Sequence, residues 1–156
     1  NHSYNSCQTK QLKLSGSHFA GANNFATFIT NNRQKALEIG LTNKQFDKLV
    51  HRYGSNITRI FQIAEHYDPA NKYALPLEVY VEIMYALTEE MIIKPVDFFI
   101  RRTGALYFDI EWVHKWKSSV LELMADILGW SEKEKAAYLC ELDQVLSDAV
   151  QAKEES

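Results

Sequence analysis

From Asn23 onward the chain is a run of apolar stripes at helical spacing, each ended by a glycine or a proline-containing turn. That pattern lets successive helices bury one face each, and it contains no alternating βαβ signal from which a parallel sheet could be built. The spacing predicts a first helix capped by Asn23 or Asn24 and running to about Glu38, with Gly40 after it. Thr42 opens a second, Asn43 to Tyr53, whose Phe46, Leu49 and Val50 share a face. Gly54 stops it, and Ser55 is placed to cap a third carrying Ile57, Ile60, Phe61 and Ala64. After the turn Asp68-Pro69-Ala70-Asn71, Pro76 precedes a long helix to Met91. Its buried stripe is expected to be Tyr80, Ile83, Met84, Leu87 and Met91. Pro95 starts a short helix ended by Gly104. Asp109 caps Ile110 to Leu128, with Gly129 closing it, and Ser131 with Glu134 forms a capping box for a last helix to about Ala149.

The expected fold is therefore all-α, a compact array of about six helices preceded by an irregular linker. Residues 1–22 are polar, rich in Asn, Ser, Gln and Gly, and read as the linker, with a short strand conceivable only at Lys10–Leu14. Residues 23–156 read as one domain, a length that supports a single sizeable core. The net charge of −3 gives no electrostatic reason to expect nucleic acid or anionic lipid as a partner. No apolar run reaches the ~18 residues that span a bilayer. Cys7 and Cys140 fit no metal or redox spacing and read as reduced thiols of a cytosolic protein. A first residue of Asn rather than Met suggests a piece of a longer polypeptide.

Chemistry is sparse. There is no Gly-x-Gly-x-x-Gly, no Walker loop, and the five histidines form no i, i+4 pair and no cluster with cysteine. No catalytic, cofactor-binding or metal-binding residue is assigned. The unusual stretch is PVDFFIRRTGALYF, where Arg101 and Arg102 stand inside an apolar run. Buried guanidinium groups ask for carboxylates. Glu90 falls on the inward row with Val79, Ile83 and Ala86, whereas Glu78, Glu82 and Glu89 fall on a more polar face. The reading adopted is a desolvated structural network of Glu82, Glu90, Asp97, Arg101 and Arg102. A phosphate grip is the weaker alternative, because consecutive helical positions diverge by about 100°. Trp112 and Lys115, beside His114, Trp116 and Lys117, make a candidate docking patch, although Trp116 lies on the core row. Thr42 to Glu65 also has the outline of a helix-turn-helix, with Asn56, Thr58 and Arg59 on the second helix. One arginine on that helix and an acidic chain favour plain packing.

Glu82-x-x-Tyr85, Glu90-Met91 and Pro95-x-Asp97-x-x-x-Arg101-Arg102-Thr103 together resemble the C-terminal helical cap of FAD-dependent (aerobic) glycerol-3-phosphate dehydrogenases and the related alpha-glycerophosphate oxidases. The likeness extends from about Phe46 to Leu146, and Cys7-x-Thr9-x-x-Leu12-x-Leu14-Ser15-Gly16 resembles the segment joining that family's catalytic body to its cap. The resemblance implies a parent flavoprotein oxidising sn-glycerol 3-phosphate to dihydroxyacetone phosphate, with hydride passing to FAD and electrons onward to a quinone or to oxygen. It places FAD in an upstream catalytic domain of the same chain and none in this piece, which would be a non-catalytic cap. It further implies a cytoplasmic protein with a peripheral position at the inner face of the membrane. The competing class is a free-standing helical binding module, such as a helix-turn-helix regulator; a dinucleotide-binding glycine motif far upstream in the coding frame separates the two.

Overall fold

The computed structural model describes residues 14–19 and 24–154, with side chains as far as 149. Among them every regular element is helical: α1 (Asn24–Glu38), α2 (Asn43–Tyr53), α3 (Ile57–Ala64), α4 (Leu77–Thr88), α5 (Ala105–Phe108), α6 (Ile110–Leu128) and α7 (Glu132–Glu154). A 3₁₀ turn (Gly54–Asn56) leads into α3, and a π-helix (Asp97–Arg102) precedes α5. The strand expected at Lys10–Leu14 lies outside the described residues except for Leu14, which is irregular. The chain divides between Glu65 and His66 into two compact units, where the sequence reads as one array.

The first unit is organised by α2. Thr42 caps it through a reciprocal box: its hydroxyl accepts from Gln45 N–H at 3.3 Å, and Gln45 Oε1 accepts from Thr42 N–H at 2.8 Å. Two otherwise unpaired donors at the helix start are thereby satisfied. Phe46, Leu49, Val50 and Tyr53 bury one face of the helix, and Phe46 stacks on Phe61 of α3 with centroids 6.4 Å apart. Each fully buried side chain of this size contributes about 1.5–3 kcal/mol of transfer free energy, so Phe46→Ala is the single change that most directly opens this core. Arg33 ties α1 to α2, reaching Asp47 at 2.6 Å and Asn43 at 2.9 Å while its guanidinium lies over the Phe46 ring.

In the second unit, α4, α6 and α7 enclose Val79, Ile83, Phe98, Phe99, Val120 and Met124, together with smaller neighbours. Pro76, which has no N–H to leave unsatisfied, is the N-cap of α4. The helix ends at Thr88 rather than Met91: Met91 turns left-handed (φ 51°), and Ile92 N–H returns to the Ala86 carbonyl at 3.2 Å while the Ile92 side chain buries. The expected stripe is correspondingly rotated. Val79, Val81, Glu82, Ile83, Tyr85 and Ala86 are buried, and Met91 is exposed. Asp109 caps α6 by accepting from Trp112 N–H at 3.1 Å, and α6 ends with Gly129 left-handed and Trp130 N–H on the Ala125 carbonyl. The loop before α4 is pinned to α6 at Asp126, which accepts from Tyr73 Oη at 2.7 Å and pairs with Lys72. Hydrogen bonds from Lys72 and then Tyr73 hold the Asp126 carboxyl below its ordinary range.

Candidate functional site

Two places stand out, one in each unit. In the first, residues 14–19 cross the corner between α2 and α3. Ser55 N–H donates to the Gly16 carbonyl at 2.8 Å, Asn56 Nδ2 donates to Ser15 Oγ at 2.8 Å, and His18 N–H donates to Ser55 Oγ at 3.2 Å. Composition predicts a linker here, yet its described part is bonded into the helical unit. Two glycines make the approach possible. A Cβ on Gly54 (φ 56°) would overlap the Gly16 carbonyl oxygen, and one on Gly16 (φ 81°) would lie 2.7 Å from the Tyr53 carbonyl oxygen. Phe19 then meets Phe25 and Phe28 edge-on at about 5 Å. Beside the crossing is an open cleft of about 310 Å³, bordered by Phe19, Phe25, His51, Arg52 and Tyr53. Sequence reasoning sees Gly54 only as a helix stop; the pairing of two distant glycines carries no local signal.

Ser55 does not cap α3 with its side chain; its hydroxyl is engaged by His18. Asn56, at the position a DNA-reading helix would present to bases, is bonded to Ser15 of the same chain. That occupancy favours packing over a recognition helix.

In the second unit the corner from Glu90 to Phe108 carries the two arginines. Arg102 Nε lies 3.1 Å from Glu90 Oε2, and Arg101 Nη1 lies 3.0 Å from Asp97 Oδ1, one helical step away. Arg101 is 75% and Arg102 42% exposed, so the guanidinium groups are more solvated than their apolar neighbours suggest, whereas Glu90 Oε2, which Arg102 approaches, is buried with no hydrogen-bond partner. On the π-helix Phe98 and Phe99 are buried, while Arg101 and Arg102 at its end are exposed. Glu82, expected on the polar face, is completely buried (0%) on α4. The structure therefore brings Glu90 and Arg102 together, and Asp97 and Arg101 together, as two separate pairs.

Trp112 packs on Phe98 and Phe99, with centroids 6.3 and 5.8 Å away, so its ring belongs largely to the core. Lys115 is exposed and lies over the Trp116 ring at 4.8 Å. Among the described residues no group of three His, Cys, Asp or Glu side chains is placed to hold a metal ion. None of their helices is long and apolar enough to cross a membrane. A dinucleotide site needs a glycine-rich turn between a strand and a helix N-terminus. Here Gly54 and Gly129 follow the C-termini of α2 and α6, where the helix dipole repels phosphate, and the described residues include no strand. These residues do not fit FAD. The first unit offers an aromatic-lined cleft, and the second offers guanidinium donors and exposed apolar side chains, all groups suited to binding.

The family model described as the C-terminal domain of alpha-glycerophosphate oxidase matches residues 7–135. Aerobic glycerol-3-phosphate dehydrogenase of Staphylococcus epidermidis is 40% identical over 146 residues, covering 94% of this chain and 26% of the relative. The Bacillus subtilis enzyme of the same name is 39% identical over 145 residues, covering 92% and 26%. The X-ray structure of glycerol-3-phosphate dehydrogenase from Bacillus halodurans complexed with FAD is similar with a TM-score of 0.84 and 36% identity, over 90% of this chain and 28% of that one. The chain thus spans about a quarter of the length of the curated relatives it matches.

Proposed function

This chain belongs to the family of C-terminal domains of alpha-glycerophosphate oxidase, and from that membership we propose that it is the helical cap of a longer FAD-dependent enzyme. That enzyme oxidises sn-glycerol 3-phosphate to dihydroxyacetone phosphate and passes the electrons to a quinone or to oxygen, working on the cytoplasmic side of the membrane. The observation that carries the reading is the match of 94% of this chain to 26% of a dehydrogenase. The cofactor and the reacting groups belong to the rest of the polypeptide, since the residues here do not fit FAD. Within the cap, the Glu90–Arg102 and Asp97–Arg101 pairs act structurally: they hold the turn at Met91 and the π-helix in register. The crossing at Gly16 and Gly54 fixes the angle at which the chain reaches the helices. The cap therefore serves turnover by packing on the catalytic body.

The test is a calorimetric titration of FAD and glycerol 3-phosphate into this chain and, in parallel, into the full-length protein. The full-length protein should carry flavin and oxidise glycerol 3-phosphate, while this chain should give no heat of binding. Tight FAD binding by this chain alone would place the cofactor site in the wrong part of the polypeptide and defeat the reading.

A further inference from the structure

Resting on that reading, we propose that the surface formed by the Met91 turn, the C-terminal end of the π-helix and α5 is the face on which the upstream part of the same polypeptide docks. Four of the eight large hydrophobic side chains exposed among the described residues fall between Met91 and Phe108, so the exposure is concentrated rather than scattered. Phe108 is 90% and Met91 80% exposed, on elements that otherwise bury Ile92, Ala105 and Leu106.

One ion pair links the Met91 turn to the end of the π-helix. Met91 adjoins Glu90, which reaches Arg102; two residues further on is Gly104, over which the Phe108 ring lies. Two further observations point to use rather than accident. Met91 holds a left-handed backbone, a conformation that non-glycine residues adopt at a cost and that concentrates at functional positions. The arginines stand on a π-helix, a form frequent at functional sites.

The chemistry selects the occupant. Methionine, tyrosine, phenylalanine and arginine are the side chains enriched at protein interfaces. Each arginine here already faces one carboxylate through one nitrogen, so the patch carries no excess positive charge to draw anionic lipid. The remaining guanidinium donors can still take carbonyl or carboxylate acceptors from a protein surface. A body joined to the same chain also meets the patch at high effective concentration.

Hydroxyl-radical footprinting of Met91, Tyr107 and Phe108 tests this, comparing this chain with the full-length polypeptide at equal radical dose. The full-length protein is first shown to hold flavin and to oxidise glycerol 3-phosphate; failure there defeats the family-level reading and not the patch alone. In the active enzyme, oxidation of all three side chains should fall several-fold relative to this chain. Equal reactivity in the two would overturn the docking face while leaving the enzyme assignment intact. Protection that appears only on adding phosphatidylglycerol vesicles would replace the body with a lipid surface. Protection of this chain alone, growing with its concentration, would replace it with a second copy; either result overturns the proposal.

Discussion

Gly54→Ala puts the crossing of residues 14–19 over the α2–α3 corner to a quantitative trial. Gly54 has φ 56° and ψ −131°, a region that costs a non-glycine residue about 1–3 kcal/mol. The new Cβ would also meet the Gly16 carbonyl oxygen, so the crossing segment has to lift away. Lifting breaks the bonds from Ser55 N–H, Asn56 Nδ2 and His18 N–H. Because these lie near solvent, each is taken at the low end, about 0.5 kcal/mol. Strain and lost bonds together give roughly 3 kcal/mol. Gly129→Ala supplies the control: φ is 69°, but nothing stands within 4 Å of the added Cβ. That variant should cost only about 1 kcal/mol, the preference of a left-handed site for glycine. Urea unfolding followed by far-ultraviolet circular dichroism measures both, with proteolysis near residues 14–19 as a second readout. If Gly54→Ala costs no more than Gly129→Ala and the segment stays protected, the tight crossing does not exist in solution.

Glu90→Ala should destabilise by about 1 kcal/mol, because the Arg102 guanidinium keeps its access to water even though Glu90 Oε2 is buried; a loss of 3 kcal/mol or more in urea unfolding would restore the desolvated reading. Met91→Gly should stabilise by about 0.5–1 kcal/mol by relieving the left-handed backbone, and a drop in the melting temperature would show that the turn is not strained. Asp126 has its carboxyl held down by Lys72 and Tyr73, so its contribution is present above about pH 4 and is lost as the pH falls through the depressed folded value. Asp126→Asn should accordingly lower stability at pH 7 and converge on the parent in acid; a gap independent of pH would deny the linkage.

Helices α2 and α6 are legible because both carry an explicit start and stop: Thr42 and Gly54 for one, Asp109 and Gly129 for the other. The face of α4 is not, because it buries residues on more than one side and a single stripe then loses meaning; Glu82 is the casualty. Nor is its end, which depends on Ile92 reaching the core through a left-handed Met91. The π-helix has a turn that no three-and-four spacing reports, and α5 at four residues is too short to show a period. The Asp97–Arg101 pair has the ordinary i, i+4 spacing and is legible, whereas the pairing of Arg102 with Glu90 depends on the fold. The division between Glu65 and His66 leaves no mark beyond an ordinary Asp-Pro turn nearby.

We propose that these helices hold no flavin yet serve a flavoenzyme. The most direct test is the full-length protein prepared with and without residues 24–156, followed by flavin absorbance, thermal melting and glycerol 3-phosphate oxidation. The truncated protein should still contain the whole FAD-binding machinery but melt at a lower temperature and turn over substantially more slowly. Unchanged melting and unchanged turnover in the truncated protein would contradict the proposal.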